Sequence, residues 1–415
     1  MSFGDTYRIV TPADDRGRDV EQIHGFAFIR GVAIGDEAAS AARVPRRFLR
    51  VVEEVATGGY RGTYAAFDQP TIVPGGARVA NLGLTMVAVH PGHRRRGMLR
   101  HMIADHFRAA QEHGAIMSTL FAAEPGIYGR FGYAMAGEIS EVVVGRGVEL
   151  APVAGSDALQ VEVETLVPER HGPVLAEVAS KMTRPGNALM GDEVLRWFTL
   201  DKAHAHGDRE PRRVVLVRDG ADAVAAATFT REAKLDGGVP GSVVRVGFHG
   251  ALTPAAERRS WSVLTDLDLT ATIEADLVTP DHPLLRLIGA HRGVVKHVMD
   301  GIWARLIDVK ACMEARTYGA DVALTLALTD DLLSVNGGLW RLEATAGCRG
   351  TFERVAGVEP DIALTIQQLS GAYLGGVTLS SLHAAGQIDQ SRGFAALELS
   401  RALRGDMDPA PNFHF

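Results

Sequence analysis

The sequence predicts a mixed α/β architecture, with helices on the faces of sheets and more than one such unit along the chain. Three observations predict it. Apolar runs of strand length alternate with segments of helical period. The length, 415 residues, exceeds what one hydrophobic core sustains, so two or three domains are expected. Finally, an apolar strand runs straight into a basic, glycine-bearing turn that opens a helix: Met86-Val87-Ala88-Val89-His90-Pro91-Gly92-His93-Arg94-Arg95-Arg96-Gly97-Met98-Leu99.

Taken in order, residues 14–28 read as a helix and residues 62–67 and 82–89 as strands. Positions 84–89 are apolar almost throughout, as in a strand covered on both faces. A helix over 97–112 places Leu99, Met102, Ile103, Phe107 and Ala110 on one face, with Arg100, Asp105 and Arg108 off it. An apolar strand over 116–121 follows. Residues 145–155, rich in Gly, Pro and Ala, read as a linker. Beyond it, strands at 214–218 and 243–248 mix with helices at 257–265 and 282–288. The last hundred or so residues open with strands at 322–328 and 332–335 and continue with helices. The expected partition is 1–150, 151–305 and 306–415.

Strand, turn and helix start together make a site for a pyrophosphate. A helix N-terminus presents unpaired N–H groups and the positive end of its dipole. Gly97 lets that backbone approach a ligand. Arg94, Arg95 and Arg96 add charge-assisted hydrogen bonds. The turn has no Gly-Lys-Ser/Thr of a Walker loop, and it lacks the three-glycine dinucleotide pattern with its acid. A second motif, Ala123-Glu124-Pro125-Gly126-Ile127-Tyr128-Gly129-Arg130-Phe131-Gly132-Tyr133, sets Tyr128 between glycines on a turn-rich segment.

Composition narrows the classes. A net charge of −7 excludes bulk nucleic-acid binding and favours cationic, amine-bearing substrates. No apolar run reaches the roughly 18 residues a bilayer span needs. The first residues show no basic-then-apolar leader, so the cytoplasm is the expected location. Cys312 and Cys348 provide neither a disulfide framework nor zinc spacing.

Arg94-Arg95-Arg96-Gly97-Met98-Leu99 is similar to the Arg/Gln-x-x-Gly-x-Gly/Ala turn of GNAT acetyltransferases, with Leu99 at the last position. With the Tyr128 motif, the chain resembles the Eis (enhanced intracellular survival) family of GNAT acetyltransferases. That resemblance extends to Trp303-Ala304-Arg305-Leu306, Leu374-Gly375-Gly376 and the terminal Phe413-His414-Phe415. Asp361-Ile362-Ala363-Leu364-Thr365-Ile366 followed by Tyr373-Leu374-Gly375-Gly376 is similar to sterol-carrier-protein-like domains.

The resemblance implies an α/β (α+β) fold class: two tandem GNAT-like mixed-sheet domains, the second without a cofactor turn, then a sterol-carrier-protein-like α+β domain supplying the C-terminal carboxylate. It implies acetyl-CoA as co-substrate, held by Val87, Ala88, Val89, Arg94, Arg95, Arg96, Gly97 and Met98, with the Val87 N–H facing the thioester carbonyl. Tyr128 would be the general acid and the carboxylate of Phe415 the base, transferring acetyl directly to a small-molecule amine in a homohexamer. An ordinary phenol protonating a thiolate is uphill by about 2 kcal/mol. His414 competes as base, because an imidazole titrates near neutral pH.

Departures from the family sit around the acceptor. His414 stands where aminoglycoside-modifying members carry an acid, and Phe26-Ala27-Phe28-Ile29-Arg30 offers no acid near the first helix. Phe121 and Ala123 replace polar residues, whereas Thr85 keeps a hydroxyl. A polycation wants desolvated carboxylates opposite its ammonium groups. The expected acceptor is therefore a more apolar amine or a smaller cation than an aminoglycoside. Protein lysines remain an alternative, as does an inert fold serving a ligand- or lipid-binding last domain, which a solvent-open apolar cavity there would favour. His204, His206 and Asp208 read as an exposed loop, not a metal site. His93 touches phosphate or solvent, Arg258-Arg259 reads as a solvated helix face, and Cys312 as a buried thiol.

Overall fold

Two seven-stranded sheets and one five-stranded sheet organise the chain in the computed structural model, which describes residues 3–28, 46–199, 209–289 and 292–415. The strand order of the first sheet is Tyr7–Val10, Arg50–Glu54, Tyr60–Asp68, Asn81–Val89, Met117–Leu120, Trp303–Leu306, Ala134–Met135. Asn81–Val89 and Met117–Leu120 run parallel, and the helix Met98–His113 makes the crossover between them. That helix buries Met102, Ile103, Phe107 and Ala110 as expected, while Leu99 is only half-buried and Met98 is buried instead; it also buries His106, whose Nε2 lies 2.8 Å from Ser118 Oγ. It stops at Gly114, which adopts φ +78°.

The second sheet repeats the plan. Its order is Gln160–Thr165, Arg213–Asp219, Asp222–Glu232, Ser242–Ala251, Thr270–Val278, Glu138–Gly145, Val295–Asp300. Here Ser242–Ala251 and Thr270–Val278 are the parallel pair, with the helix Pro254–Leu264 between them.

Sheet membership departs from the expected partition at residues 150 and 305, because the two sheets exchange strands. Glu138–Gly145 leaves the first unit and pairs between Thr270–Val278 and Val295–Asp300 of the second. Trp303–Leu306 returns the exchange, pairing between Met117–Leu120 and Ala134–Met135. The expected linker at 145–155 thus begins on a strand of the second sheet and continues as a loop packed on it. Val148 and Leu150 join that core, and Arg258 reaches across to Ala151 O at 3.0 Å and Ser156 Oγ at 2.8 Å. Arg259 Nε donates to Leu159 O at 3.2 Å. These two arginines are clasps for the loop, not a solvated face.

The five-stranded sheet takes the order Thr351–Arg354, Gly338–Ala344, Val322–Thr329, Ile362–Thr365, Asp389–Gln390, with helices Ile366–Ala372, Leu379–Ala384 and Ala395–Leu403. Leu324, Leu326, Leu342, Leu369 and Leu399 fill its core, and Trp340 stacks on Phe352 at 4.8 Å. Residues 332–335, expected as a strand, instead enter the turn Ser334–Asn336. Asp330 Oδ1 accepts the Leu332 and Leu333 N–H groups at 3.2 and 3.0 Å, which breaks strand geometry there. Cys312 is buried as expected, its Sγ 3.1 Å from Ile116 O. His204, His206 and Asp208 lie outside the described residues.

One buried ion pair joins the units. Arg305, fully buried on the exchanged strand, donates from Nη2 to both Asp330 oxygens at 2.7 and 2.8 Å, from Nη1 to Leu306 O at 2.6 Å, and from Nε to Phe131 O at 2.9 Å. Removing one partner of such a pair strands the other charge in the interior. Arg305→Ala is therefore expected to lower stability by about 3–5 kcal/mol, read as a fall in the denaturation midpoint. A midpoint equal to wild type contradicts this.

Candidate active site

Where the parallel strands of the first sheet part, a cleft opens. Their pairing covers only Asn81–Gly83 against Met117–Thr119. On the other edge, Thr85 pairs with Ala65 and Ala88 with Thr63, so Met86 and Val87 together oppose Tyr64. This bulge turns the backbone toward the gap. Met86 adopts φ +55°, a conformation a non-glycine residue holds only when its surroundings force it. The cleft measures about 1160 Å³. The strand expected to be covered on both faces is buried through Leu84 and again at Ala88, whereas Thr85, Met86, Val87 and Val89 are half-buried.

At one end lie the turn and the helix start. Gly97, at φ +80°, is the residue before the helix and supplies no side-chain cap, so the first N–H groups stay open toward the cleft. Arg94, Arg95, Gly97 and Met98 line that end, and Val87, Ala88 and Val89 form its wall. Arg96, expected among them, is not one of the lining residues: its Nη1 bonds Tyr7 Oη at 2.9 Å. His93 also bonds Tyr7 Oη, through Nδ1 at 2.9 Å, and lines the same end.

Tyr128 stands between two short turns, Pro125–Ile127 and Gly129–Phe131. The second turn is held by Arg305 through Phe131 O, and Gly132 at φ +83° packs against the guanidinium. A Cβ there would fall 2.6 Å from Arg305 Nε, so only glycine fits. The Tyr128 ring meets Tyr133 edge-on at 6.0 Å, and Tyr133 Oη is anchored 2.7 Å from Ser118 Oγ. Burial, with the Glu124 charge second, pushes the Tyr128 hydroxyl up to about 12.

The chain end fills the opposite part of the cleft. Asp408 N donates to Asp281 Oδ2 at 3.0 Å, while Arg184 Nη1 bridges Asp281 Oδ1 and Asp408 O at 2.7 and 2.6 Å. Asn412 then pairs with the Ala188 backbone in both directions, its Oδ1 accepting the N–H at 2.9 Å and its Nδ2 donating to the carbonyl at 3.0 Å. Phe413 is buried beside Phe198 and Phe248. The Phe415 ring lies over Gly83, where a Cβ would come 2.9 Å from Cε2, and meets Phe121 at 5.2 Å. His414 lines the cleft and bonds Asp276 Oδ2 at 3.0 Å. Termini generally fray; this one is strapped. Asp276, Arg184, Asp281, Asn412 and the cleft-lining Asp300 escaped sequence reading, since no local motif marks them.

A second polar cluster, His249, Glu257 and His282, has a metal-site appearance. Ser260 Oγ donates to Glu257 O and so accepts from His249 Nε2, while His282 Nδ1 takes the Leu284 N–H at 3.1 Å. Glu257 lies 4.0 and 3.8 Å from the two Nδ1 atoms, against about 3.4 Å between neighbouring donors in a closed zinc site. Its Oε1 accepts from Trp261 Nε1 at 2.9 Å. Burial pushes His282 down to about 4 and also lowers His249. His249 ties the helix Pro254–Leu264 to its sheet through Ser260, Glu257 braces that helix through Trp261, and His282 caps the helix Pro283–Ile288.

Residues 23–136 match the model of an acetyltransferase (GNAT) domain, 194–306 match a second such model, and 309–410 a sterol carrier protein domain. The N-acetyltransferase Eis of Mycobacterium tuberculosis is 30% identical over 401 residues, covering 92% of this chain and 93% of that one. The chain belongs to the Eis family of GNAT N-acetyltransferases. A Streptomyces coelicolor relative, named only as an uncharacterized N-acetyltransferase, is 34% identical over 84% of each chain. Among solved structures, Eis1 of Mycobacterium abscessus superposes with a TM-score of 0.82 at 22% identity, covering 99% of this chain and 100% of that one. A GCN5-related N-acetyltransferase from Anabaena variabilis gives 0.83 at 19%, with the same coverage. Both show this fold.

In this Eis-family chain the strap is testable by itself. Asn412→Ala leaves two buried Ala188 groups unpaired, each costing about 1–3 kcal/mol. Faster hydrogen exchange at the Ala188 amide and a lower denaturation midpoint are expected; unchanged exchange contradicts the strap.

Proposed function

We propose that this N-acetyltransferase transfers the acetyl group of acetyl-CoA directly to a primary amine within a ternary complex. The observation that carries this reading is the meeting, in one cleft, of a protonated Tyr128, the terminal Phe415 and an uncapped helix start flanked by Arg94 and Arg95. The pyrophosphate would lie at Gly97 and Met98, and the pantetheine arm along Val87, Ala88 and Val89. Arg96, engaged with Tyr7, would steady the turn instead of touching phosphate.

Chemistry then follows from the groups present. Amine attack on the thioester develops an oxyanion, and a backbone donor such as the Val87 N–H is typically worth about 10²–10³ in rate. Tyr128 would protonate the departing thiolate. With the hydroxyl pushed up to about 12, a separate transfer to a thiolate of ordinary basicity is uphill by roughly 5 kcal/mol, more than for a free phenol. Proton transfer concerted with C–S cleavage avoids that full difference, and the same shift keeps the proton in place throughout the physiological range. The terminal carboxylate of Phe415 would take the ammonium proton.

The acceptor end is walled by Leu84, Met86, Phe121 and the Phe415 ring, with Phe28 at its edge, and among the described residues Glu124 and Asp300 are the acidic side chains lining the cleft. This favours a single ammonium on an apolar body. The filled interior of the last unit counts against a ligand-binding role for it. Family resemblance adds a homohexamer and a cytoplasmic location to the proposal. Among the described residues no helix is long and apolar enough to cross a membrane.

Tyr128→Phe is expected to reduce kcat by about 10²–10⁴ while leaving coenzyme A affinity, measured by calorimetry, unchanged. A fusion extending the chain past Phe415 should abolish turnover, and full activity of that fusion contradicts the carboxylate's role. Across an acceptor panel, hydrophobic primary amines should show higher kcat/KM than aminoglycosides; the reverse order refutes the acceptor assignment.

A further inference from the structure

The overall reaction has a proton to dispose of. An ammonium and an acetyl thioester give an amide, a thiol and one free proton: two protons leave the nitrogen as the C–N bond forms, and one returns to sulfur as the C–S bond breaks. Tyr128 serves the sulfur. The other proton reaches the terminal carboxylate and must pass on to water before the next turnover, because a protonated carboxyl group no longer attracts or deprotonates an ammonium.

We propose that His414, oriented by Asp276, is the relay that carries this proton from the Phe415 carboxylate to solvent. The inference rests on the acetyl-transfer reading above. His414 is the residue next to that carboxylate, and both its ring and the Phe415 ring pack on Phe121, at 4.6 and 5.2 Å, so both sit at the acceptor end of the cleft. Its Nε2 meets Asp276 Oδ2 at 3.0 Å, and the side chains are 48% and 46% exposed, so the pair bridges the cleft and water. A carboxylate on one imidazole nitrogen fixes the ring's orientation and leaves the other nitrogen to take up a proton. Asp276 comes from Thr270–Val278, a strand of the second sheet. The unit without a cofactor turn would thereby contribute to the chemistry of the first. Asp276 acts through His414 and is a positioning residue.

The test is chemical rescue with the full-length chain. His414→Ala is expected to lower kcat by roughly ten- to a hundredfold with KM for acetyl-CoA unchanged, and millimolar imidazole should restore most of the loss. Asp276→Asn should give a smaller fall, and the double variant should be no worse than His414→Ala alone, because the two residues act as one unit. A structural role for His414 would not respond to imidazole. Unaltered kcat in His414→Ala, a loss that imidazole leaves in place, or additive effects of the two substitutions would each overturn the relay. Failure of the underlying reading looks different: the wild-type chain then transfers no acetyl group to any amine, and the relay falls with it.

Discussion

The molecule is held together around one buried guanidinium. Arg305 lies on a strand that leaves the second sheet's stretch of chain and enters the first sheet, and its partners belong to different parts of the fold. Phe131 O is on the turn that carries Tyr128, and Asp330 belongs to the last unit. A charge in a dry interior is tolerated only when its hydrogen-bonding capacity is met, and here that requires several segments at once. The Tyr128 turn, the exchanged strand and the third unit are therefore positioned together.

The strand exchange makes that arrangement reciprocal. Glu138–Gly145 and Trp303–Leu306 each complete the other unit's sheet, so neither seven-stranded sheet is whole without the other's chain. The tail extends this logic. It is clamped at Asp408 by Arg184 and Asp281, held at Asn412 by Ala188, and buried at Phe413 before it reaches the cleft. Ordering a chain end costs backbone entropy at each residue. The hydrogen bonds and buried aromatic rings along residues 408–415 offset it.

Local patterns were legible wherever a short stretch carries its own physics. The 3.6-residue period fixed the face of the helix Met98–His113, and Gly97 marked its start. Glycines around Tyr128 announced a turn, and the aromatic tail announced burial. Reading failed where partners are remote. Arg96 looks like its neighbours Arg94 and Arg95, yet it bonds Tyr7 and is not among the residues lining the cleft. Arg258 and Arg259 read as solvated until the loop they clasp is in place. Residues 332–335 carry strand-like side chains, but Asp330 captures their N–H groups.

The sequence by itself determined the fold class, the family and the basic turn that opens the helix Met98–His113, because each is carried by short stretches whose residues lie within about one turn or strand of one another. Tertiary structure alone decided which strand joins which sheet, where the parallel pair parts, and which acids line the cleft. Asp276 and His414 are 138 positions apart in the chain and 3.0 Å apart in space. No periodicity or spacing encodes such a contact, since it arises only once both sheets and the strapped tail have packed.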